Sequence, residues 1–87
     1  LMKIVITQRI KPRSKYNQET LNLIKDGLAS FVPYWESQTK ESVKSGTEYV
    51  STSCDFNLYS EYSYLLGRIF SLNKAYSNMG ILIKIEN

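Results

Sequence analysis

Histidine does not occur in this chain of 87 residues. Its absence excludes a Ser-His or Cys-His catalytic pair, a His-ligated metal and a histidine pH switch. Cysteine occurs once, at Cys54, so no internal disulfide and no thiolate zinc cluster can form. No apolar run approaches the ~18 residues of a membrane span. After Lys3 only Ile4, Val5 and Ile6 are apolar before Thr7, short of the roughly 7–15 residues of a secretory signal. Met2 reads as the native start, with Leu1 outside it. A lone cysteine and no signal suit an intracellular, cytoplasmic protein that is not bound to a membrane. No glycine-rich phosphate loop is present, and neither is a G-x-S-x-G elbow.

What is present suits one folded domain spanning residues 1–87. Hydrophobic residues make up 43% and charged residues 22%, too apolar for a disordered chain. A chain of this length buries roughly 60–65% of its unfolded surface, enough for one modest core. The net charge of +3 is unevenly placed. Lys3, Arg9, Lys11, Arg13 and Lys15 stand in residues 1–15 with no acid among them, while acids outnumber bases in the remainder.

Ile4, Ile6 and Ile10 alternate with more polar neighbours over residues 2–10, the period of a strand, with Gln8 breaking the apolar row once. Pro12 cannot donate to a sheet ladder, so residues 11–15 read as a loop. Asn17 is a good helix cap, and Leu21, Ile24, Leu28 and Phe31 recur at spacings of three and four. These predict a helix over 17–32, stopped by Pro33. Gly27 inside it suggests a close packing contact. Residues 34–56 lack helical period. Ser45-Gly46 divides them into a hairpin whose first arm is polar, as an edge strand should be. Trp35, Thr39, Glu41 and Val43 share a face of the first arm. Glu48, Val50, Thr52, Cys54 and Phe56 share one of the second. Leu58, Tyr62, Leu65, Ile69 and Leu72, widened by Leu66, Phe70 and Ala75, predict a second helix over 57–77 ended near Gly80. Ile81, Ile83 and Ile85 alternate in a last strand.

The order strand, helix, strand, strand, helix, strand contains the split βαβ pattern of the ferredoxin-like superfold. Right-handed crossovers then put the first and third strands at the centre of an antiparallel four-stranded sheet, with both helices on one face of this α+β sandwich. The alternative is an irregular 34–44 and three strands. Leu28, Phe31, Leu65 and Ile69 are the expected core.

Catalytic candidates are few. Glu41 and Glu48 are the carboxylates that pair most naturally, across the hairpin, and read as solvated charges flanking a turn. Cys54 shares parity with Val50 and Phe56 and has no base beside it, so it reads as a small inward hydrophobe. The expectation is a non-enzyme that needs no metal and no cofactor. The basic run Arg9, Lys11, Arg13, Lys15, followed by Tyr16, is the main functional candidate, because an unpaired cationic loop suits phosphates or an acidic surface. The bare sheet face is the second. It should carry Lys3, Val5, Thr7, Arg9, Tyr49, Ser51, Ser53, Leu82 and Lys84, an apolar centre rimmed by cations. Bases can stack on such a face, although Ser45 to Thr52 keeps only the Gly, Tyr and Val of the eight-residue RNA-recognition signature. Tyr34 is the candidate exposed anchor, with Trp35 under the first helix. The resulting expectation is a small module that contacts nucleic acid or a nucleoprotein through the basic loop and open face. The alternative is a small modulator or inhibitor of a protein partner. A homodimer through the bare face is a further possibility.

Overall fold

The computed structural model describes residues 2–10, 18–32, 35, 38–44, 47–58 and 61–86. The expected cap Asn17 and the turn Ser45-Gly46 lie outside them. Within the described residues, β1 (Met2–Ile10) is followed by α1 (Gln18–Gly27). The hairpin strands β2 (Gln38–Lys44) and β3 (Thr47–Phe56) come next. Then come α2 (Tyr62–Tyr76), a single 3-10 turn (Ser77–Met79) and β4 (Ile81–Glu86). The strands lie in the order β2-β3-β1-β4, and every neighbouring pair is antiparallel. The chain has a ferredoxin-like fold, with β1 and β3 central and a true edge strand at 38–44. No helix of the described residues is long and apolar enough to cross a membrane.

Strand parity builds the core. Ile4 and Ile6 of β1, Cys54 and Phe56 of β3, and Ile81 and Ile83 of β4 are all buried. Against them pack Leu21, Ile24 and Leu28 from α1 and its following turn, and Leu65 and Ile69 from α2. Cys54 is an inward hydrophobe as expected, its thiol donating to the Asp55 carbonyl at 3.3 Å.

Both helices are shorter than their periodicity suggests. α1 ends at Gly27, not residue 32. The Leu28 N–H is shared between the Ile24 and Lys25 carbonyls, both at 3.1 Å, and the chain continues as turns in which Phe31 and Val32 donate to Leu28. Glycine favours that break, and Val32 before Pro33 cannot resume the helix. A Cβ on Gly27 would come within 3.2 Å of Leu72 Cδ2, so here the two helices meet closely. α2 starts at Tyr62 because β3 runs to Phe56, and the chain must then climb from sheet to helix layer. Glu61 is still extended there (φ −62°, ψ 134°).

One expected core residue, Phe31, and part of the apolar stripe of α2 lie further out than their spacing suggests. Phe31 is only half-buried at the margin of the core. On α2, Tyr62, Leu66 and Phe70 are exposed, Phe70 by 65%. Their flank turns past the sheet edge, as Asn73 on the same flank reveals. Its amide N–H donates to the Ile83 carbonyl at 2.9 Å, and its Oδ1 accepts from the Ile83 N–H at 2.8 Å. One side chain thus does for edge strand β4 what a neighbouring strand would do, and ties α2 to it.

Leu65→Ala should cost about 2–5 kcal/mol by cavity formation, and Phe31→Ala clearly less. Asn73→Ala should cost about 1–3 kcal/mol, since two hydrogen bonds go at once. Denaturant unfolding of the three variants measures the order. Equal losses for Leu65 and Phe31 would contradict the packing described.

Candidate functional site

With the helices on one side, the other side of the sheet is bare. β1 contributes Lys3, Val5, Thr7 and Arg9 to it. The ladders set Val5 beside Ser53 and Lys84, Thr7 beside Ser51 and Leu82, and Arg9 beside Tyr49. Tyr49 in turn faces Ser42 of β2. Val5, Thr7, Tyr49, Ser51 and Leu82 share a shallow depression of about 570 Å³ with Ser42, Lys84 and Glu86. Thr7 and Ser51 link their hydroxyls at 3.2 Å across its floor. Val5 is only 8% exposed although no helix covers it, because its sheet neighbours shield it; Leu82 is 55% exposed.

The rim is less uniformly cationic than expected. Glu86 shares the parity of Leu82 and Lys84, pairs with Lys3 in register and holds Lys84 Nζ at 3.1 Å. Both partners are about half exposed, so the pair is weak and opens readily to a competing anion. Arg9 is exposed, and its backbone N–H donates to the Gly80 carbonyl at 2.8 Å. Gly80 is left-handed (φ 74°), and a Cβ there would lie 3.2 Å from Arg9 Cβ and 3.5 Å from its Nε. The arginine side chain therefore lies across the glycine, at one end of the face.

Of the candidate binding residues, Lys3, Arg9, Tyr49 and Lys84 come together on this face. Lys11, Arg13, Lys15, Tyr16 and Tyr34 lie outside the described residues. Trp35 borders the core beside α1, with Lys25 Nζ 5.6 Å from its ring centre. Glu41 and Glu48 share a face but are not opposite each other: the register sets Glu41 against Val50 and Glu48 against Val43. Among the described residues no group of three His, Cys, Asp or Glu could hold a metal ion. Reasoning from sequence omitted Glu86, which parity alone would have found, and Asn73, whose role depends on tertiary contact and leaves no sequence signal.

Neither a protein-family model nor a curated protein matches the chain. Among solved structures it is similar to the de novo designed protein Ferredog-Diesel. The identity is 17%, over 99% of this chain and 83% of that chain, with a TM-score of 0.47. Likeness at that level says nothing about function.

Gly80→Ala combines an unfavourable positive φ with crowding of Arg9. It should cost about 1–3 kcal/mol, measurable as a fall in denaturation midpoint. An unchanged midpoint would show that the turn tolerates a side chain.

Proposed function

We propose that this chain is a non-catalytic binding module that holds single-stranded nucleic acid on the open sheet face. The observation that carries the reading is the joint placement of Tyr49 and Leu82 with Arg9, Lys3 and Lys84 on one uncovered surface. Strands lie ~4.8 Å apart, so a base stacked on Tyr49 has the Arg9 guanidinium within reach of its phosphate. Ser51 and Thr7 offer hydroxyls for polar contact with the same nucleotide. Beyond β1 the sequence adds Lys11, Arg13 and Lys15, which extend the run of cations along the chain. Phosphate contacts of this kind provide affinity without reading sequence.

The test is binding of a labelled single-stranded oligonucleotide between about 50 and 200 mM salt. Arg9→Ala with Lys84→Ala should lower the salt slope by roughly one to two. Arg13→Ala with Lys15→Ala should do the same and leave the thermal midpoint nearly unchanged, since exposed charges contribute little to stability. Tyr49→Ala should weaken binding by about 1–3 kcal/mol at every salt concentration without changing the slope. Undiminished binding in all three variants would overturn the proposal. Loss confined to the association rate of an acidic protein would favour the protein-modulator reading instead.

A further inference from the structure

The helix layer carries a second uncovered feature. A groove of about 580 Å³ runs between the turn after α1 and the first half of α2, lined by Ser30, Phe31, Tyr64, Gly67, Arg68 and Ser71. Phe31 is half-buried and Tyr64 is 67% exposed, so both leave aromatic surface to the groove. Gly67 lies in the middle of α2, where glycine weakens a helix relative to alanine. The other glycines of the helix layer and its turn have reasons within the domain: Leu72 crowds Gly27, and Gly80 is left-handed under Arg9. Gly67 has none. A Cβ built there meets nothing within 4 Å. A helix-interior glycine facing open space leaves a bare backbone notch, the shape that admits a side chain from another molecule.

Charge narrows the occupant. No acidic residue occurs from Tyr62 to Tyr76, while Arg68 and Lys74 both lie there. Among the described residues no carboxylate forms an ion pair with Arg68, and no acid lines the groove. An arginine forks bidentately onto a carboxylate, and two serine hydroxyls beside it can take main-chain groups of an incoming chain.

We propose that this groove docks an acidic segment of a protein partner. The segment would set one aromatic or leucine side chain between Phe31 and Tyr64 over the Gly67 backbone, and a carboxylate on Arg68. The groove lies on the helix side of the domain and does not depend on the open sheet face.

The probe is an acidic dodecapeptide with one central phenylalanine, compared with its central-alanine counterpart and with a single-stranded oligonucleotide. Amide shifts in the isotope-labelled full chain report the place of binding. The phenylalanine peptide should shift Ser30, Tyr64, Gly67, Arg68 and Ser71, and the alanine peptide should bind roughly tenfold more weakly. Gly67→Ala should raise the thermal midpoint. Gly67→Trp should fill the notch and weaken the peptide roughly tenfold or more while oligonucleotide binding persists. Arg68→Glu provides a second variant in case the tryptophan disturbs folding, and should abolish the preference for acidic over basic peptide. Unmoved groove amides, undiminished binding by Gly67→Trp and Arg68→Glu, or a lowered midpoint for Gly67→Ala would each overturn the proposal. Groove shifts caused by the oligonucleotide would also overturn it, by assigning the site to a polyanion of another class. Failure of the open face to bind nucleic acid leaves the peptide readouts and the Gly67→Ala midpoint unaffected.

Discussion

Everything on the surface follows from the inward setting of Ile4 and Ile6 on the central strand. Both are fully buried, flanked by Cys54 and Thr52 on one side and by Ile85 and Ile83 on the other. Side chains alternate along a strand, so a slip of one residue would turn every position over. Lys3 and Arg9 would then face the helices without partners, at a cost of several kcal/mol each. Hydrophobic burial thus fixes the register, and the register alone delivers the cations, Tyr49 and Leu82 to the same uncovered side. The make-up of the open face is thus a by-product of core packing and needs no separate device to assemble it.

The two sheet edges are treated differently. β4 is closed by the Asn73 amide, which satisfies both main-chain groups of Ile83 and also holds α2 over the sheet. β2 (Gln38–Lys44) lies at the other edge, and its exposed Glu41 discourages indiscriminate strand addition there. The clamp also explains why Tyr62, Leu66 and Phe70 are exposed. Anchoring Asn73 to the edge strand rotates that flank of α2 outward, and the inward stripe narrows to Leu65 and Ile69, bordered by Leu72 and Tyr76. Lys74 lies 5.8 Å from the Phe70 ring centre, which partly shields it.

The parts of the fold that were legible in the sequence are those set by local period. β1, β3 and β4 follow their alternation closely, and the strand order follows from connection handedness once the elements are known. The close contact expected at Gly27 is present, against Leu72, but the end of α1 at this glycine was less legible, because Leu28 and Phe31 continue the helical spacing beyond it. Phe31, Leu66 and Phe70 were misplaced for a related reason. Apolar residues at helical spacing mark two flanks of a helix, and only the tertiary setting decides which is covered. On the candidate site, Lys3, Arg9, Tyr49 and Lys84 were recoverable from parity. Glu86 was equally recoverable, and omitting it overstated the cationic rim. The groove at Gly67 was not legible, since a glycine in open space and a glycine under a leucine look alike in one dimension.

The two proposed surfaces are physically compatible. They lie on opposite sides of the domain, separated by at least the thickness of a helix, about 10–12 Å. The Debye length at physiological salt is about 8 Å, so a polyanion on the sheet face and carboxylates in the groove repel each other only weakly through solvent. The protein between them carries cations on both sides, Arg9 and Lys84 on one and Arg68 and Lys74 on the other. An anion on either surface would therefore lie nearer to that surface's own cations than to an anion on the other. With a rigid core between them, neither surface has to rearrange for the other to be used, so occupation of one should leave affinity at the other nearly unchanged.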